Sequence, residues 1–194
     1  VTSDSSKAKC IASKITDHQY FDNGESLPGE SMIPGKDYYY FVKAGNAAGY
    51  NKLFSNGAMG WRKLSAPETI DASDGTSLDC VLVRWNDVAG ASYYHVYRSS
   101  EIEGTKESLG SWQTDTQYED KTAEPGMTYY YYVVAAVDNR GRRPSDYSII
   151  EDGYRGVPVV PQSLEISGES SISSGGSVTY TCDLIYSNDT RDKN

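Results

Sequence analysis

The sequence predicts an all-β protein made of antiparallel β-sandwich units in tandem. Three observations carry that expectation. Seventeen tyrosines stand against three phenylalanines, and tyrosine suits half-buried strand positions, ring inward and hydroxyl near water. Short runs rich in Val, Tyr, Thr and Trp alternate with Gly, Pro, Asn and Asp turns, without sustained helical periodicity. A domain-sized internal repeat runs through the chain.

The repeat is the most informative of the three. Thr16, Asp17, Gln19, Tyr20 and Asp22 recur as Thr114, Asp115, Gln117, Tyr118 and Asp120. Pro34-Gly35 with Tyr38 to Val42 recurs as Pro125-Gly126 with Tyr129 to Val133, and Gly60-Trp61-Arg62 recurs as Gly153-Tyr154-Arg155. The offset is 98 at Thr16, 91 at Tyr38 and 93 at Trp61. The fall between the first two marks an insertion, Asn23 to Met32, in the first copy. A period of this size matches a small sandwich, not a solenoid.

Three segments follow. Residues 1–65 read as the C-terminal part of a domain, because only the second copy has the upstream half that runs from Ala66 to Arg98. Residues 66–156 read as a complete seven-strand sandwich. Val81, Val83 and Trp85 alternate onto its core face, while Cys80, Leu82 and Arg84 face the other way. Tyr94 and Val96 join the core from the next strand, and Tyr129, Tyr131 and Val133 from a later one. The middle copy carries one extra residue between Tyr129 and Asp138, which would reverse the faces beyond Val133 unless a bulge absorbs it. Residues 157–194 read as a proline-punctuated linker, Val157 to Pro161, followed by strands over Ser163–Ile166 and Ser177–Cys182 joined by a Ser/Gly-rich turn. These would be the first strands of a third unit that the chain does not complete.

At Ala72 to Thr76, Val81 to Trp85, Ala89 to Arg98 and Pro125-Gly126 with its tyrosine run, residues 66–156 resemble a bacterial fibronectin type III domain. These stretches are similar to that family's first hairpin, second-strand tryptophan, third strand and tyrosine-corner turn. Residues 1–65 resemble it from mid-domain onward. The tail resembles the opening strands of a bacterial immunoglobulin-like domain. The resemblance implies a fragment of a larger bacterial protein, secreted or held at the cell surface.

Charge narrows the function. The net charge of −9 divides into +2 over residues 1–65, −8 over 66–156 and −3 over 157–194. An acidic middle repels phosphate backbones, so nucleic acid is not an expected partner. Arg140, Arg142 and Arg143 read as a solvated loop, which contains no Arg-Gly-Asp triplet. No apolar run is long enough to cross a bilayer, and Val1 to Lys9 are too polar for a signal segment; one lies upstream or there is none. Cys10, Cys80 and Cys182 fit no zinc or CxxC spacing, and each falls in a different segment, so no disulfide is expected within the chain.

No catalytic, metal or cofactor residues emerge. His18 is replaced by Thr116 in the partner copy, and His95 should point outward from its strand. Neither has a nucleophile's context. Three acidic groups stand out: Asp71, Asp74 and Asp79; Glu119, Asp120 and Glu124; Glu151 and Asp152. Paired acids serve glycoside hydrolysis, but these fall at sandwich turns, where Asp accepts local backbone bonds. A dense calcium loop is absent. Tyr39, Phe41, Tyr130 and Tyr132 should alternate outward, either to stack on sugar rings or to brace their cross-strand neighbours; bracing is preferred.

The expected function is therefore non-catalytic: a structural spacer, or an adhesive module, of a larger secreted or surface protein, with its neighbouring domains as partners and carbohydrate or another surface protein as the further candidates. The alternative is an accessory carbohydrate-binding region of a secreted hydrolase. A continuous exposed aromatic strip would favour carbohydrate; aromatics covered by charged neighbours would favour the spacer. An enzyme would need a convergent polar pocket that these residues do not assemble. No cofactor is implied.

Overall fold

The computed structural model describes residues 4–25, 30–168, 171, 174–188 and 191–193. Apart from one 3-10 turn at Ser5–Lys7, the regular elements among them are strands.

The middle of the chain closes around a core between two sheets. One holds β5 (Ile70–Ala72), β6 (Val81–Trp85) and β9 (Gln117–Asp120) in the order β5-β6-β9. The other runs β11-β10-β7-β8, from β11 (Glu151–Tyr154), β10 (Thr128–Ala136), β7 (Tyr93–Ser99) and β8 (Glu107–Gln113). All the pairings are antiparallel. Seven strands in this order form an antiparallel β-sandwich with the strand arrangement of the fibronectin type III fold.

Alternation builds the core. Val81, Val83 and Trp85 point in from β6, Tyr94 and Val96 from β7, and Tyr129, Tyr131, Val133 and Ala135 from β10. Trp85 is 7% exposed and packs its ring at 5.7 Å from that of Tyr94. The extra residue in the Tyr129–Asp138 stretch does not reverse β10. Its pairing with β7 continues in register from Tyr130 to Ala136, and the irregularity falls instead between Tyr94 and Val96 on the β7–β8 side.

Beyond β10 the chain returns beside it through residues the sequence did not single out. The Ser145 and Ser148 amides donate to the Ala135 and Val133 carbonyls at 2.8 and 2.9 Å. Their hydroxyls accept the Ala135 and Val133 amides, both at 3.0 Å. Two serine side chains thus complete the ladder where the returning backbone is irregular, which satisfies groups that are costly to bury unpaired.

The flanking strands are short. β1 (Tyr38–Tyr40) pairs with β4 (Ala58–Gly60), and β2 (Gly45–Asn46) pairs with β3 (Gly49–Tyr50). β1 takes in only the first three residues of the repeated Tyr38 to Val42 stretch, and the Val42 amide donates to the Ser55 hydroxyl at 3.0 Å. In the tail, β12 (Pro161–Ser167), β13 (Thr181–Tyr186) and β14 (Arg191–Lys193) form a three-stranded sheet. The second strand lies later than the expected 177–182, because Cys182 to Ile185 pair with Ile166 to Ser163.

Candidate functional site

Three places in the middle sandwich gather chemistry-bearing side chains, and the first is buried. Asp120, at the end of β9, is 1% exposed. Its Oδ2 accepts from Arg98 Nη1 at 2.8 Å and from the Tyr131 hydroxyl at 3.0 Å. Its Oδ1 accepts from the Thr122 amide at 2.9 Å and hydroxyl at 2.7 Å. Burial pushes this carboxyl up, but the Thr122 hydrogen bonds and the Arg98 charge outweigh it and hold the group below its ordinary pKa. Burial, with the Asp120 charge and hydrogen bond, pushes the Tyr131 phenol far up. Arg98 also lies 4.3 Å from the Tyr129 ring centroid. Every oxygen of the carboxylate is engaged, so the network ties β7, β9 and β10 together and leaves no free base. The sequence placed Asp120 among solvated turn acids. Arg98 and Tyr131, brought in by other strands, make its burial possible.

The second is the outer face of the β11-β10-β7-β8 sheet. His95 lies 5.1 Å from Trp112 and 4.8 Å from Tyr97, and Tyr147 meets Tyr97 at 5.2 Å and Tyr132 at 5.9 Å between ring centroids. The Tyr147 contacts are edge-on, with interplanar angles of 86° and 72°. Tyr132 points outward as expected but is buried: its hydroxyl donates to the Ile102 carbonyl at 2.6 Å, and Lys106 Nζ sits 4.4 Å from its ring centroid. His95 likewise faces outward yet is half-buried among aromatics, and burial holds it below its ordinary pKa. Tyr39, Phe41 and Tyr130 are all half-buried, and Phe41 is met edge-on by Phe54 at 6.1 Å. The Tyr147 and Phe41 contacts have the edge-on geometry that aromatic pairs favour, while His95 is tilted at 48° and 53° against Tyr97 and Trp112, and Tyr147 remains 44% exposed.

The third is acidic. Glu151 is pushed up by burial and by the like charges of Asp152, Asp71 and Asp74, which brings two of the sequence clusters together along one sandwich edge. Among the described residues, no His, Cys, Asp or Glu side chains group in a way that could hold a metal ion. No described helix is long and apolar enough to cross a membrane. Cys10, Cys80 and Cys182 are free thiols. His18 is exposed and remote from His95 in the chain.

Two open clefts lie at the surface. One of about 300 Å³ is lined by Tyr20, Phe21, Asp22, Tyr40, Trp61 and Arg62, among others. There the Tyr40 hydroxyl donates to Asp22 Oδ2 at 3.1 Å, and burial with that bond pushes its phenol up to about 12. The other, about 510 Å³ and more polar, opens over Arg98, Glu107 and Glu124. Its arginine is already committed to Asp120.

The geometry defines a class: an antiparallel all-β sandwich whose buried acid, Asp120, is spent on holding strands together. No family model matches the chain. It is 33% identical over 93 residues to an amylopullulanase of Thermoanaerobacterium saccharolyticum, a match that takes in 48% of this chain and 7% of that protein. Similar solved structures include an Fn3-like protein from Clostridium thermocellum, 25% identical, with a TM-score of 0.43, covering 50% of this chain and 97% of that one. A human fibronectin type III domain is 22% identical, with a TM-score of 0.39, over 56% and 85% of the two chains. A β-1,2-glucanase from Parabacteroides distasonis is 21% identical, with a TM-score of 0.39, over 49% and 13%.

Proposed function

We propose that the chain is a non-catalytic spacer from a larger bacterial protein that works outside the cell. The observation that carries this is the outer aromatic face. Tyr147 meets Tyr97 and Tyr132 edge-on, the buried Tyr132 is tied to a backbone carbonyl, and Lys106 lies over the Tyr132 and Tyr147 rings, while Tyr147 itself stays 44% exposed. Such a face braces a sheet. The buried Asp120 network likewise joins strands.

The domain plan belongs to the same reading. Residues 66–156 form one fibronectin type III-like unit, and residues 1–65 are the matching part of a second. Residues 157–194 are a linker leading into an immunoglobulin-like unit. Two equivalent hydrogen bonds support the duplication. Gly35 donates to the Arg62 carbonyl and Gly126 to the Arg155 carbonyl, both at 2.8 Å. Tyr40 donates to Asp22 as Tyr131 does to Asp120.

A second reading is favoured by the amylopullulanase match: an accessory region of a secreted hydrolase that holds polysaccharide. Affinity electrophoresis through gels containing starch or pullulan separates the two. The spacer migrates unretarded. Retardation that disappears in Trp112→Ala and Tyr147→Ala would overturn the spacer reading and support the accessory one.

A further inference from the structure

The arginine loop of the middle sandwich does not stay in solvent. Asp138 Oδ1 accepts the Arg140 and Arg142 amides at 3.0 and 3.1 Å, and its Oδ2 accepts Arg142 Nε at 2.5 Å. This folds the loop and leaves Arg143 at a φ of 53°, a left-handed backbone that a residue with a side chain keeps only where its surroundings hold it. The Arg143 side chain reaches the first unit and is 19% exposed there. Its Nη1 donates to the Gly35 carbonyl at 2.7 Å, its Nη2 pairs with Asp37, and its guanidinium lies 4.4 Å from the Trp61 ring centroid. One fork thus meets a carbonyl, a carboxylate and an aromatic face, a combination lysine cannot reproduce.

Two further layers surround that fork. The connecting segment is itself core: Leu64 belongs to the middle sandwich's buried cluster, and Pro67 is fully buried. The turn at Pro34-Gly35 also meets Gly90 backbone to backbone. A Cβ on Gly90 would lie 2.1 Å from the Pro34 carbonyl oxygen, and one on Gly35 would lie 2.4 Å from Val137. Both glycines have positive φ, so the approach needs glycine on each side. Lys63 adds an ion pair to Asp146 at 2.6 Å, exposed and therefore minor.

We propose that Arg143 locks the first unit to the middle sandwich at a fixed angle, so that this joint acts as a stiff elbow and not a flexible tether. Neighbouring domains move relative to one another by default unless a large hydrophobic interface prevents it; here the buried linker residues Leu64 and Pro67, the close Gly90–Pro34 approach and the arginine fork act together instead. The lock is particular to this joint. At the equivalent turn of the middle sandwich Thr128 stands in place of Asp37, so an arginine would find no carboxylate there. The inference rests on the spacer reading and gives it a mechanical property.

Spin labels at Asn56 and Ser108, both exposed, test it by pulsed electron–electron distance measurement on the full chain, with the three native cysteines replaced by serine. The unaltered joint should give one narrow distance distribution, and Arg143→Ala should broaden it at least about twofold. Asp37→Asn and Trp61→Ala should broaden it from the other side, and they carry the test if Arg143→Ala fails to fold by circular dichroism. Arg140→Ala should leave it narrow. A broad distribution in the unaltered joint overturns the proposal, as does a narrow one that survives all three substitutions. Either result leaves the spacer reading intact, since polysaccharide binding decides that separately.

Discussion

The hydroxyl of Tyr131 donates to Oδ2 of Asp120 at 3.0 Å, across a separation of 11 residues. Removing it with Tyr131→Phe should cost about 1.5–3 kcal/mol, as expected for a hydrogen bond to a charged group. Asp120→Ala should cost more, about 3–5 kcal/mol, because it leaves the half-buried Arg98 guanidinium with only the Thr122 hydroxyl at 3.0 Å and the exposed Glu107 carboxylate at 3.8 Å. Urea unfolding followed by tryptophan fluorescence measures both. Equal losses would contradict the view that the carboxylate, and not the phenol, is the hub.

Acid should act through the same group. The Asp120 carboxyl is held below its ordinary value in the folded state, so the unfolded chain binds the proton more readily. Its stabilising contribution is present above the unfolded pKa of 3.8 and is lost as pH falls through the lower folded value. Asp120→Asn should therefore flatten the acid limb of the melting-temperature profile below about pH 4. An unchanged acid limb in that variant would assign acid sensitivity elsewhere.

His95 titrates at a higher window with the same sign. Burial among Tyr97 and Trp112 lowers its folded pKa below 6.5, so again the unfolded state holds the proton more tightly. Stability should be full above about pH 6.5 and decline as pH falls toward the folded value. His95→Phe should remove the part of the decline that begins near pH 6.5. Melting curves from pH 8 to 5 in steps of about half a unit would show it.

Ser148 replaces a missing strand partner, and its loss should be felt in the core. Ser148→Ala leaves the Val133 amide without the hydroxyl that accepts it at 3.0 Å. The expected cost is about 1–3 kcal/mol, the desolvation penalty of a buried unpaired donor. Amide exchange at Val133 should accelerate more than at Tyr129 on the same strand.

Hydrogen exchange should also separate the segments. In residues 10–60 and just beyond, Phe21 is 86% exposed, Trp61, Met59 and Val42 are exposed too, and the strands are two or three residues long. Little buried apolar surface offsets the entropy of ordering it. Residues 10–60 should exchange through openings of lower free energy than residues 70–154. Comparable protection in both segments would contradict that ordering.

Much of the middle sandwich was legible in the sequence. The alternation of Val81, Val83 and Trp85, of Tyr94 and Val96, and of Tyr129 and Tyr131 determined which side chains enter the core. A strand has a period of two, and a one-residue slip would turn all of them to water. The same alternation put Tyr132 and His95 on the outer face. Tertiary structure alone decided what covers them, because Trp112, Tyr147 and Lys106 arrive from other parts of the chain. It also decided the roles of Asp120 and Arg143, which read as a turn acid and a loop base. Asp120 is buried by Arg98, 22 residues earlier, and Arg143 is held by Gly35, 108 residues earlier. Local pattern determines the face a side chain takes. Whether a charge on it meets water or a partner depends on which distant strand folds against it, because a charge is stable in the interior only where opposite charge and hydrogen bonds replace the water it loses.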